Sequence, residues 1–242
     1  MKCGRGYEFS YNAQAVIDEG SGLIVAADVV NEESDNQQLL PMLEQAKENM
    51  GRAAALTVAD GGYSSGAGLA AEQLGHQVLV NLGPQHLAPK NEFHSAKFRY
   101  EEKRDCCVCP RAEELKFERV KGNRRKSYAV RVYRCQSFRQ CPVRWQCSKD
   151  KRGRTIELTP YDGAFRRQRE KLAQADSQAA LRKRMTIAEP AFGQIKHCGG
   201  FRRWTVRGLE GVKTQWSLVV TAFDLRKLHR YWVAGRLSFN SG

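Results

Sequence analysis

Two acids far apart in this chain have neighbours suited to metal-assisted phosphoryl chemistry. Asp60 ends an apolar segment, Ala53 to Ala59, and is followed by Gly61, Gly62 and Tyr63. Glu189 comes after a basic approach that includes Arg182, Lys183 and Arg184, and leads into Pro190, Phe192, Gly193, Ile195 and Lys196. In-line displacement at phosphorus uses carboxylates that converge from distant parts of a chain to hold two divalent ions, one for the nucleophile and one for the leaving oxygen. A carboxylate at a strand's end and another on a helix suit that demand. Each also has an ordinary reading, as a turn aspartate before glycines and as a solvated helical glutamate. Residues three, four and seven apart share one side of a helix, so Glu189, Phe192, Gly193 and Lys196 are expected to face one neighbour. Pro190 lacks an N–H and disfavours the α conformation before it, so the helix either starts here or is kinked here.

A second set of residues suggests a metal of another kind. Five of the eight cysteines fall between Cys106 and Cys141, and Cys147 follows. Clustering of this sort in a basic chain without a secretory signal points to metal binding more than to disulfides. Cys109, Cys135, Cys141 and Cys147 could close a tetrahedral zinc site, with Cys107 competing for the place of Cys109 and Cys106 a further alternative. Free, partly buried thiols are the competing reading. Around them lie Arg124, Arg125, Lys126, Arg131, Arg134, Arg139, Arg144, Lys149, Lys151, Arg152 and Arg154, interleaved with Tyr128, Tyr133, Phe138 and Trp145. Such a surface suits phosphate contacts and base stacking, or is simply basic and solvated.

The elements that must position these groups follow from periodicity. Tyr7 to Ile17 alternates apolar and polar, Glu19 to Gly22 supplies turn residues, and Leu23 to Val30 is apolar but for Asp28. This predicts an antiparallel hairpin, with Asp18 read as a turn acid. Ser34 or Asp35 can cap a helix carrying Leu39, Met42, Leu43, Ala46 and Met50, which Gly51 ends. A strand over 53–59, a short helix over 65–74 and a strand over 76–82 complete an alternation that predicts one mixed sheet with helices packed on it. From Gly83 to about Pro160 the chain is basic, broken by Pro and Cys, with one clear strand at Ser127 to Tyr133. Polar helix is expected from about Ala164 to Met185. Leu209, Val212, Trp216, Val219 and Phe223 then predict a long amphipathic helix docked on the core.

With 242 residues, the chain can hold one core and an insert. A formal charge of +14 and a pI near 9.6 point to a polyanion, with nucleic acid foremost. No apolar run reaches the ~18–20 residues of a membrane span, and no signal-peptide pattern is present. The expected location is cytoplasmic and nucleoid-associated.

The residues from Glu189 to Lys196, continued by Gly200, Phe201, Arg202, Arg203, Trp204, Arg207 and on to Lys213, resemble the glutamate-helix signature of insertion-sequence DDE transposases with a cysteine-bearing insert. Ala59 to Gly66 resembles the family's second-aspartate motif, and Gly6 to Asp18 and Asp35 to Met42 are similar to the strands and helix before it. The resemblance implies an α/β, ribonuclease H-like mixed sheet with flanking helices. The family's first aspartate lies in a strand before the hairpin, so the chain is expected to be a C-terminal portion lacking that first strand. Its expected parts are a core segment over 1–83, a basic cysteine insert over 84–163 and a helical segment over 164–242 that carries the glutamate. Implied are DNA cleavage and strand transfer with Mg or Mn, ligated by Asp60 and Glu189, and a possible structural zinc on the four cysteines. Arg184, Lys196, Arg202, Arg203 and Arg207 are implied DNA contacts. Double-stranded DNA, as transposon ends and target, is the implied partner, beside a second copy or an intact transposase. The alternative is a non-catalytic DNA-binding remnant.

Overall fold

Short strands β1 (Lys2–Cys3) and β2 (Gly6–Tyr7) pair antiparallel, and the hairpin expected after them forms from β3 (Asn12–Ile17) and β4 (Ile24–Val30). Their register runs from Asn12↔Val30 to Ile17↔Ile24. This computed structural model describes residues 2–3, 6–7, 11–83, 91–122 and 128–236. Glu8, Phe9 and Ser10 of the expected first strand, Arg124, Arg125 and Lys126 of the basic group, and Ser127 therefore lie outside the described residues. The chain divides into two units, Met1–Leu79 with Ala175–Gly242 and Val80–Gln174.

In the first unit Ser34 caps a 3₁₀ turn, Asp35–Gln37, by accepting from the Asn36 N–H at 3.2 Å. Helix α1 (Leu39–Met50) follows, burying Leu39, Met42 and Leu43 and ending at Gly51 in the left-handed region. It packs on β3 and β4. Strand β5 (Thr57–Ala59) stops at Asp60, and after a 3₁₀ turn, Gly61–Tyr63, the short helix α2 (Gly66–Leu69) begins under a Ser65 cap. The buried strand β6 (Val78–Val80) pairs with β5.

The second unit is built on an antiparallel meander of β7 (Arg99–Glu101), β8 (Cys106–Val108), β9 (Glu114–Lys121), β10 (Val130–Cys135) and β11 (Thr155–Leu158). Cys107, Leu115, Tyr133 and Ile156 form its core. The short helix α3 (Arg144–Cys147) lies between β10 and β11, and α4 (Asp162–Leu172) follows them.

Back in the first unit, α5 (Ala175–Gly193) continues past Pro190 and passes into a π-helical turn, Gln194–Cys198. Of the two expected outcomes, a helix start at Pro190 does not occur; the ring removes one N–H donor, and the wider turn comes four residues later. Helix α6 (Leu209–Val233) buries Val212, Trp216 and Val220, which meet Ile24, Val29 and Ile195 in the core. The Trp216 indole N–H donates to the Gln14 carbonyl at 3.1 Å, tying this helix to β3.

The expectation of one mixed sheet is corrected. Among the described residues β3–β4, β5–β6 and the five-stranded meander are separate sheets. Alternation states which face a strand buries and leaves open which strand it pairs with. The architecture is mixed α/β. No described helix is long and apolar enough to cross a membrane.

Candidate functional site

Asp60 is held by its own turn. Its Oδ1 accepts from the Gly62 N–H at 2.9 Å and its carbonyl from the Tyr63 N–H at 3.2 Å. Its Oδ2 faces the Arg184 guanidinium on α5 at 3.0 Å, with 47% of the Asp60 side chain exposed and 25% of Arg184. A second carboxylate, Asp35 of the 3₁₀ turn before α1, stands beside this turn. A Cβ added to Gly62 would lie 3.0 Å from Asp60 Oδ1 and 3.0 Å from Asp35 Oδ2, so these two oxygens are no more than twice that distance apart. Glycine is what lets the two acids share this space.

Asp35 is positioned from β3. Its Oδ1 accepts from the Asn12 amide at 2.5 Å and the Gln14 amide at 2.8 Å. Gln14 is 1% exposed, and its amide oxygen accepts from the Tyr63 hydroxyl. Burial raises the Tyr63 phenol well above its usual range, and the charges of Asp35 and Asp60 push it further. Tyr63 therefore remains a donor, and one chain of hydrogen bonds joins β3, the 3₁₀ turn before α1 and the turn after β5.

Glu189 is exposed on α5. Five residues beyond Arg184, it lies about 140° around the helix and ~7.5 Å along it, so the face that meets Asp60 through Arg184 is not the face that carries Glu189. Phe192 turns inward to stack on Trp216 with ring planes 10° apart, while Lys196 is exposed in the π turn. Glu189, Phe192 and Gly193 keep the regular spacing of α5, whereas the π turn takes Lys196 off the 3.6-residue spacing expected to align it with them. Among the described residues no group of three or more His, Cys, Asp or Glu could hold a metal ion.

Asp18 caps its hairpin turn, accepting from the Ser21 hydroxyl at 2.7 Å and the Ser21 N–H at 2.8 Å. These bonds hold its carboxyl below the usual range. Of the basic residues, Arg184 is engaged with Asp60, whereas Lys196, Arg202, Arg203 and Arg207 are exposed around the segment between α5 and α6. The sequence pattern did not single out Asp35, Gln14 or Tyr63 as site residues. The one signal in the sequence was a polar glutamine on the buried face of an otherwise alternating strand.

With this geometry stands one match: a family model described as a transposase DDE domain covers residues 108–229, half of the chain. The chain belongs to the transposase DDE-domain family. No curated protein and no solved structure matches it. Membership implies a transposition-related function on DNA, and the family typically uses divalent metal ions. Of the two candidate acids, Glu189 lies inside the matched span of this DDE-domain chain and Asp60 before it.

The second unit of the DDE-domain chain brings Cys109, Cys135, Cys141 and Cys147 to the lining of one small pocket. Cys107 lies instead within the sheet core, where burial pushes its thiol up to about 12, and Cys106 is buried as well. Desolvation also raises the thiols of Cys135 and Cys147. The Arg111 N–H points at Cys109 Sγ across 3.3 Å, and Arg154, lining the same pocket, has a buried Nε without a partner. Much of the basic surface here is already paired, Arg131 with Asp105 and Arg134 with Glu118. Trp145 is 62% exposed, with Arg144 4.5 Å above its ring.

Proposed function

We propose that this DDE-domain chain cleaves DNA and transfers its strands on a ribonuclease H-like core, with Asp60 and Glu189 as metal ligands. The observation that carries the reading is the strand-end Asp60, its carboxylate beside that of Asp35 and paired with the Arg184 guanidinium. Two close carboxylates repel each other unless a cation offsets them, and Asp60 is solvent-accessible enough to exchange Arg184 for a divalent ion. When bound, Mg or Mn would activate the attacking hydroxyl and stabilise the leaving oxygen. The chain's own part is to orient Asp60 through the Gly62 N–H, to hold Asp35 through Asn12 and Gln14, and to release Arg184 toward a phosphate. Lys196, Arg202, Arg203 and Arg207 offer exposed charge for the DNA backbone.

Zinc on the four cysteines belongs to the same proposal. The donor set suits zinc, the Arg111 N–H supports the Cys109 sulfur, and the partnerless Arg154 Nε would gain an acceptor in a thiolate. Desolvation raises the thiols of Cys135 and Cys147, so zinc bound there would displace their protons.

A second reading, non-catalytic DNA binding, is favoured by the position of Glu189 on a different face from Arg184. The test is Mg- or Mn-dependent nicking of supercoiled DNA by the purified chain beside Asp60→Asn and Glu189→Gln at matched DNA affinity. Nicking lost in both variants supports the first reading. Salt-sensitive binding without nicking in all three proteins supports the second.

A further inference from the structure

A groove of about 370 Å³ lies between the π turn after α5 and the second half of α6. Its floor is apolar, formed by Ile195, Phe201, Val219 and Phe223, and its rim carries Arg226 and Arg230. Two features keep it open. The wide turn brings the Phe201 N–H to the Ile195 carbonyl at 3.2 Å, and only glycine fits at 199, where a Cβ would stand 2.7 Å from the Ile195 oxygen. Lys227 is tied down, donating to the Gly22 carbonyl at 2.7 Å with its ammonium 5.4 Å from the Phe223 ring centre. Arg226 and Arg230, by contrast, are exposed.

The chemistry of this groove selects its occupant. The volume lies at the lower end of the roughly 300–1,000 Å³ usual for small-ligand sites, enough for a single ring system and its attached groups. Phe223, with the Lys227 ammonium over its ring, and Phe201, packed on Trp204, line the floor with aromatic surface that suits a flat ring, and guanidinium groups at the rim match phosphate oxygens. Inside a duplex the faces of each base are already covered by its neighbours, so only an unpaired base can use this floor. We propose that the groove takes one unpaired nucleotide of a DNA strand, its base against Phe201 and Phe223 and its flanking phosphates on Arg226 and Arg230. This rests on the reading of the chain as a DNA-acting protein, and assigns a role to four residues besides Lys196, Arg202, Arg203 and Arg207.

Cys198 lines the groove and is exposed, which gives a reporter in the unaltered protein. Alkylation of Cys198 by iodoacetamide, followed by peptide mass spectrometry, is measured with a short oligothymidylate or a blunt duplex at saturation. Protection by the oligothymidylate and none by the blunt duplex is expected. Phe223→Leu, which keeps an apolar floor and removes the aromatic face, should weaken oligothymidylate binding about tenfold and leave duplex binding unchanged. Arg226→Gln with Arg230→Gln should lower both the affinity for oligothymidylate and its salt dependence. A Cys198 that stays reactive at saturation, or an equal loss for both probes in Phe223→Leu, overturns the proposal. Protection that grows with protein concentration alone would assign the groove to a second copy of the chain and also overturn it. Absence of duplex binding in the unaltered protein would count against transposition while leaving the oligothymidylate result intact, so the two failures are distinguishable.

Discussion

Gln14 shows how much one side chain can organise. On a strand whose neighbours alternate, it is buried with both ends of its amide satisfied, one by Tyr63 and the other by Asp35. Tyr63→Phe would leave the Gln14 oxygen buried without a donor, and should cost about 1–2 kcal/mol in urea unfolding; an unchanged midpoint would show that the oxygen finds another partner. Asp18 gives a pH-dependent contribution. Its Ser21 hydrogen bonds hold the folded pKa below the unfolded value, so its stabilisation is fully present above the ordinary aspartate range and is lost as pH falls through the folded pKa. Thermal unfolding followed from about pH 6 to about pH 3 should show a steeper loss for the native chain than for Ser21→Ala. The sequence allowed Asp18 to be read as a turn acid because turn preferences are local. It carried no sign that Asp35 stands beside Asp60, because that proximity depends on how a capping turn and a strand end are folded against β3.

Local pattern served some elements well and failed others. The spacing of Leu39, Met42 and Leu43 with Gly51 at the end, and of Val212 and Trp216 along the last helix, specifies α1 and α6 because one face of each is buried against a strand. The meander was mostly illegible. In β9 only Leu115 is fully buried and the residues from Lys116 to Lys121 are exposed, and the alternation begun by Leu115 and Phe117 is broken by a register shift opposite Val132 and Tyr133; its position follows from pairing with β10 and β8. The hairpin turn depends on one glycine. Gly22 has φ +64° and a Cβ there would collide with the Lys227 ammonium, so Gly22→Ala should cost about 1–2 kcal/mol from backbone strain. Differential scanning calorimetry measures it, and displacement of the lysine from the Gly22 carbonyl adds to the effect. Trp216→Ala would remove the ring that stacks with Phe192 and donates to Gln14, and should cost about 3–5 kcal/mol, read by the same scan as loss of the first unit's transition.

For the molecule as a whole, charge selects the class of partner. The excess of Lys and Arg over Asp and Glu leaves the chain at +14, and while Arg131, Arg134 and Arg184 spend their charge on carboxylates of the chain itself, Lys196, Arg202, Arg203 and Arg207 stand exposed. Replacing these four by Gln should flatten the plot of log affinity against log salt by about 0.9 for each phosphate no longer neutralised, measured by fluorescence anisotropy on duplex DNA; an unchanged slope would place the DNA elsewhere. The sequence by itself determined the hairpin, the two amphipathic helices and the polyanion-seeking charge, because each depends on residues close in the chain or on a simple sum. Tertiary structure alone decided that Asp35 joins Asp60, that Arg184 neutralises it, that Glu189 lies on another face of α5, and that Cys109 rather than Cys107 shares a pocket with Cys135, Cys141 and Cys147. These outcomes depend on strand pairing, helix rotation and a π turn, which are set by packing between segments distant in the chain and leave no periodic trace within any of them.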